Sequence, residues 1–151
     1  MNRGCEVKLT LSVNRSFFAL PILLSPIVVS VVMIGFLSIL SEPQRQKFSA
    51  IFLAGAGAAY LSGGLGLWEF GFCAVITVLA DQGLRHYREI AAGWVLHTCW
   101  DIAHHYYGNP IIPFAATSSI GCAVCDLGLA AWYAIGAPQI IRWPRLLTNP
   151  R

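Results

Sequence analysis

Apolar positions in this chain come in long runs rather than in a two-residue alternation, and short polar clusters separate the runs. The first run covers residues 16–40 and is closed by residues 41–47 (SEPQRQK). The next, 48–84, is too long for one element, and Ser62-Gly-Gly-Leu-Gly66 at its centre is a break, so the pattern predicts two helices over 48–62 and 67–84. Residues 85–89 (RHYRE) then precede a run over 90–107, which Gly108-Asn-Pro110 ends because proline disfavours helix at the residue before it. A last run, 115–135, stops at Gly136-Ala-Pro138. Five helices in an all-α, single-domain bundle over 1–151 is the economical reading, with a polar tail at 1–15 and a basic tail with Trp143 at 139–151. Pro26 is expected to kink the first helix. The small residues Gly55, Gly57, Ala58 and Ala59 would let a neighbouring helix approach closely.

Composition sharpens this into an expectation about the solvent. Hydrophobic residues make up 56% of the chain and charged residues 11%, against about 25% charged in a soluble domain. The mean hydropathy is +0.63. That is too little polar surface to cover a water-facing globule, which predicts a polytopic transmembrane bundle. The first run begins after Arg15 and lacks a small-residue exit, so it reads as a retained helix rather than a signal peptide. With five spans, one side receives Arg45, Lys47, Arg85, Arg88, Arg142, Arg145 and Arg151, and the other Arg3, Lys8 and Arg15. The positive-inside rule then places the C-terminus in the cytoplasm and the N-terminus outside. Expected partners are the lipid bilayer and a homo-oligomer or larger membrane complex. A nucleic acid is not expected, since the net charge of +3 is small and its cations lie in short clusters. The five cysteines are an odd count without a mini-domain pattern, which argues against a disulfide framework.

Candidate chemistry concentrates in His97-Thr-Cys-Trp-Asp-Ile-Ala-His-His105, which holds three of the four histidines. On a helix His97, Asp101, His104 and His105 fall at roughly 0°, 40°, 340° and 80°, a single stripe. The expected topology puts the 62–66 turn and the 109–114 loop at one end, so Glu69 meets His104 and His105 in depth, and Asp126 meets His97 and Asp101. Ionised groups facing hydrocarbon would cost on the order of 2.5–3.5 kcal/mol each, so the acids should converge on the histidines. Imidazole nitrogens with carboxylate oxygens suit zinc, iron or manganese. His97, Asp101, His104 and His105 are the expected metal ligands, with Glu69 and Asp126 as candidate catalytic bases. Structural hydrogen bonding between helices and ligation of a haem or pigment are the competing readings of the same residues. Cys122-x2-Cys125 reads as packing more readily than as a redox pair, and Ser118/Ser119 as a helix cap or helix–helix hydrogen bond more readily than as a nucleophile. His86, with Asp81, Arg85, Arg88 and Glu89, belongs to a solvated loop.

Four blocks carry a resemblance: Tyr60-Leu-Ser-Gly-Gly-Leu-Gly-Leu-Trp-Glu-Phe70, His97-Thr-Cys-Trp-Asp101 with His104-His105, Gly108-Asn-Pro-Ile-Ile-Pro-Phe114, and Ser118-Ser-Ile-Gly-Cys-Ala-Val-Cys-Asp126. Over roughly residues 48–137 the chain resembles a small bacterial membrane-protein family, the domain of unknown function six-zero-one-zero, which implies a bacterial inner (cell) membrane protein and no particular activity. Asp101-x2-His104-His105 is also similar to the last histidine box of membrane desaturases, which need about eight histidines where this chain has four. His97-x3-Asp101 is similar to zinc amidohydrolases of the ceramidase type. The functional expectation is therefore an intramembrane metal site, with hydrolysis of a lipid-like substrate by a metal-bound water. The alternative is a non-catalytic transporter, proton-relay element or accessory subunit.

Overall fold

The computed structural model describes residues 24–61 and 63–141. They form five helices: α1 over residues 24–39, then α2 Gln44–Ala58, α3 Leu67–Gly83, α4 Tyr87–Tyr107 and α5 Ser118–Ala134. The all-α reading and the order of the elements agree with the hydrophobic pattern, and boundaries differ by a few residues. The 1–15 tail, residues 16–23 of the expected first helix, Cys5, Ser62, and the basic residues of the C-terminal tail with Trp143 lie outside the described residues.

The expectation that these helices cross a bilayer is corrected by their lengths and by where the polar residues sit. Among the described residues no helix is both long and apolar enough to cross a membrane. Helix α2 has 15 residues and α3 and α5 have 17 each. At about 1.5 Å per residue they reach roughly 22–26 Å, short of a hydrocarbon core of about 30 Å. Helix α4, with 21 residues, is long enough but carries Arg88, Glu89, Asp101 and three histidines. The polytopic transmembrane class, the inner-membrane placement and the cytoplasmic C-terminus therefore lack their structural basis. Composition misleads because it counts apolar residues without asking how they are divided: here they are split among short elements interrupted by polar turns.

Burial of one face of each helix holds the bundle together. Leu37 of α1, Leu53 of α2, Ile76 of α3, Ile90 and Trp94 of α4, and Leu129 and Tyr133 of α5 meet in one core. Leu53, Ile76 and Ile90 are fully buried, a stabilisation of about 1.5–3 kcal/mol for each. Among α2–α5, helices α4 and α5 share the most extensive packing, and α3 packs against both α2 and α4, which also touch each other. The close approach expected at the small residues of α2 occurs at Gly57, where an added Cβ would lie 2.6 Å from Ile76 of α3.

The connections fall at two ends with different chemistry. At one end Glu42 accepts from Arg45 Nε (3.0 Å) and from the Tyr87 hydroxyl (2.6 Å), pinning the start of α2 to the start of α4. At the other, the α2–α3 turn meets the 108–117 loop. Gly64 and Gly66 take positive φ (99° and 64°) to make that turn. The Asn109 N–H donates to the Gly63 carbonyl at 2.6 Å, fastening the end of α4 to it. The candidate site lies between this end and the middle of the bundle.

Candidate functional site

Helix α4 places His97, Asp101 and His104 at i, i+4 and i+7, and all three side chains are buried on the face turned towards α3 and α5. Asp126, buried mid-way along α5, completes the first cluster. His97 Nδ1 lies 2.8 Å from Asp126 Oδ2 and 3.5 Å from Asp101 Oδ1. One donor atom from each of the three falls within 4.8 Å of the other two. The opposite ring nitrogen, Nε2, is 3.1 Å from the Ala56 carbonyl of α2. An Nε2–H donated there fixes the ring orientation and turns Nδ1 to the acids, as an outer partner does for a metal-bound histidine. Asp101 is fully buried, yet neither of its oxygens has a hydrogen-bond partner.

The surroundings of His97 are aromatic. The rings of Tyr60, Phe72 and Trp94 lie 5.9, 5.6 and 5.6 Å from its centroid. Burial works against the His97 imidazolium, but the hydrogen bond to Asp126 and the nearby negative charges of Asp101 and Asp126 outweigh it, and its pKa rises to about 10. Asp126 moves up as well, to about 7: burial and the nearby Asp101 charge exceed the stabilisation from His97. The metal-free cluster is thus two acids gathered on one imidazolium in a dry site.

A second pair sits nearer the turn. Glu69, in the first turn of α3, accepts the Leu65 N–H at 2.7 Å, a position where the helix dipole favours an acid. Its Oε1 is 3.7 Å from His104 Nε2, too far for a direct hydrogen bond. His104 Nδ1 lies 3.1 Å from the Trp100 carbonyl, one turn back, and Nε2 has no partner although His104 is fully buried. Tyr60 lies between the two clusters. Its ring stacks on His104 at 4.0 Å. Its hydroxyl is directed at Ser119 and Asp101 without closing a hydrogen bond to either. Outside Tyr60 is a pocket of about 310 Å³ lined by Ala59, Tyr60, Gly63, Asn109, Pro110 and Ile111 among others.

The structure therefore gathers His97, Asp101 and Asp126 in one cluster and Glu69 and His104 in another. His105, half-buried at the edge of the stripe, faces Tyr106 and belongs to neither group. His86 is exposed at the start of α4, at the far end. Ser118 and Ser119 do not cap their own helix; their hydroxyls accept the N–H groups of Ile112 (3.0 Å) and Ile111 (3.1 Å) and hold the 108–117 loop. Cys122 and Cys125 are half-buried free thiols. Burial first, then the charges of Asp101 and Asp126, push their pKa values to about 12 and 11, so neither offers a thiolate near neutrality. Tyr60, the Phe72 and Trp94 walls and the Ala56 carbonyl are the site features that residue spacing did not reveal. All but Trp94, which is one turn before His97 on α4, come from α2, its following turn and α3, and an aromatic or a carbonyl carries no spacing signal.

Neither the curated proteins nor the solved structures searched contain a match to this chain. Residues 21–139 match the sequence model described as a family of unknown function, DUF6010. The matched stretch reaches back over α1 and takes in every residue of both clusters, and the chain belongs to that family.

Proposed function

We propose that the protein binds a divalent first-row metal ion through His97 Nδ1, Asp101 and Asp126. The observation that carries this reading is Asp101: a fully buried carboxylate with neither oxygen hydrogen-bonded, whose nearest counter-charge is the His97 imidazole at 3.5 Å, beside a second buried carboxylate. An unsatisfied buried carboxylate is costly, and a cation between the three donors removes that cost. In a tetrahedral zinc site with bonds of about 2.0–2.1 Å, neighbouring donors lie roughly 3.3 Å apart. The 3.5 Å and 2.8 Å separations here bracket that spacing. His97 can supply Nδ1 only after losing a proton, so metal and proton compete for it.

The three side chains are 6%, 0% and 7% exposed, and the lining of the neighbouring pocket includes Tyr60 and Gly63 but no residue of the cluster. That closure favours an ion held in place over one turning over a bulky lipid-like substrate. A second reading rests on the 2.8 Å His97–Asp126 contact: a charge triad that links α4 to α5 without an ion. Elemental analysis of protein purified without chelators or an affinity histidine tag separates the two. The metal reading expects about one ion per chain, lost in His97→Ala and Asp101→Asn. Metal-free wild type with an unaltered melting temperature on adding zinc or manganese would leave the triad as the account.

A further inference from the structure

Ser119 and Tyr60 stand between the 108–117 loop and Asp101. Ser119, on α5, accepts the Ile111 N–H at 3.1 Å. The Tyr60 hydroxyl, in the turn after α2, is directed at both Ser119 and Asp101. Ser119 and Asp101 are fully buried and Tyr60 is 2% exposed, so none of the three opens to bulk water.

Hydrogen-bond chemistry permits one polarity along this path. The Ile111 N–H can only donate, so Ser119 Oγ accepts there and keeps its own proton for another partner. An ionised carboxylate can only accept, so the partner of Asp101 must be a donor. The Tyr60 oxygen can accept one bond and donate another. The order that uses every group is Ile111 N–H to Ser119, Ser119 O–H to Tyr60, and Tyr60 O–H to Asp101. The last two links are open: neither the Tyr60 hydroxyl nor either Asp101 oxygen has a hydrogen bond.

A cation held by His97, Asp101 and Asp126 takes one Asp101 oxygen and leaves the other buried, where the lack of a donor is costly. The Tyr60 ring is already fixed beside it, stacked on His104 at 4.0 Å and 5.9 Å from the His97 ring. Closing the chain turns hydroxyl protons and the Asp101 carboxylate and leaves the Tyr60 ring where it is.

We infer that Tyr60 is the positioning residue of the metal site: its hydroxyl donates to the Asp101 oxygen that the ion leaves free, and Ser119 donates to Tyr60 in turn. The inference deepens the metal reading above and rests on it. The 108–117 loop is thereby tied to the ion through Ile111, Ser119, Tyr60 and Asp101, and should open less readily when the ion is bound.

The test measures zinc affinity by competition with a chromophoric chelator, and amide exchange of Ile111 with and without zinc, in the full chain and its variants. Tyr60→Phe keeps the ring and its stacking and removes only the hydroxyl. It is expected to weaken zinc binding about 10–100-fold, as loss of an outer partner does, and to abolish the slowing of Ile111 exchange that zinc produces in the wild type. Ser119→Ala is expected to weaken zinc binding less. The double variant should bind no more weakly than Tyr60→Phe, because without the phenol Ser119 no longer acts on Asp101. Ser118→Ala, whose hydroxyl holds the neighbouring Ile112 N–H, is expected to leave zinc affinity unchanged, which separates this chain of bonds from a general loosening of the loop.

Wild-type zinc affinity in Tyr60→Phe, losses that add in the double variant, an equal loss in Ser118→Ala, or Ile111 exchange indifferent to zinc in the wild type would each overturn the inference and leave the metal reading in place. No saturable zinc binding by the wild type would overturn the metal reading, and this inference with it. Should Tyr60→Phe fail to fold, Ser119→Ala set against Ser118→Ala decides, and equal affinities in that pair overturn the inference.

Discussion

The two charged clusters of this bundle differ in how their charges are answered. At the α1–α2 end, Arg45 is buried, yet its guanidinium meets Glu42 through Nε and Nη2, and Tyr87 donates to the same carboxylate. Glu42 is itself 45% exposed, so water shares the work. In the middle of the bundle, Asp101 and Asp126 share one imidazole, all three side chains are buried, and the Asp101 oxygens have no hydrogen bond. The first arrangement is what a fold needs to join two helices. The second exceeds that need: a hydrogen-bonded pair would link α4 to α5 with one acid fewer, and the surplus acid is what points to a cation.

The sharpest way to break this contrast is to remove the single base. His97→Leu leaves two facing carboxylates buried without a counter-charge and is expected to destabilise the metal-free protein by about 3–5 kcal/mol near pH 8. The loss should be smaller near pH 5, where the acids can take up a proton. Urea unfolding at the two pH values checks it; equal losses at both would mean the acids are not facing each other.

The pH profile of the chelator-treated wild type sharpens the same point with a smaller effect. Both resolved shifts in the cluster are upward, so the folded chain holds protons that the unfolded chain releases. The His97 contribution is full below its ordinary value of 6.5 and is lost as pH rises through about 10. The Asp126 contribution is full below 3.8 and is lost as pH rises through about 7. The urea midpoint should therefore fall steadily from about pH 5 to about pH 9, and should fall more steeply between pH 5 and pH 8 in His97→Leu, whose acids have lost the charge that opposes their protonation. A midpoint that climbs over that range contradicts the assignment.

The smallest effect is expected at the answered cluster. Glu42→Gln removes a charge that is partly in water and should cost only about 0.5–1 kcal/mol, with metal binding unchanged.

Much of this arrangement was legible in the chain. The five elements follow from where polar clusters interrupt apolar runs, and the i, i+4, i+7 spacing puts His97, Asp101 and His104 on one face. The convergence of Glu69 and Asp126 on that face was expected because hydrocarbon cannot solvate an acid. The gathering occurs although no described helix is built to cross a membrane, since a packed protein interior penalises a lone charge by the same physics. Helix depth already paired Glu69 with His104 and Asp126 with His97 and Asp101; what separates the two groups was not legible. It depends on Tyr60 lying between them, and on the Ala56 and Trp100 carbonyls orienting each ring, contacts made by backbone atoms and by a turn whose path no periodicity encodes. The bilayer expectation failed for a related reason: 56% apolar content says how much surface is greasy, not whether any one helix is long and clean enough to span.

The most direct test of the central claim is calorimetric titration of chelator-stripped protein with zinc near pH 7.5, repeated in buffers of different ionisation enthalpy. The account predicts about one site per chain, release of about one proton as His97 gives up Nδ1–H to the metal, and loss of that site in both Asp101→Asn and Asp126→Asn. No saturable binding, or a site that survives both substitutions unchanged, would contradict it.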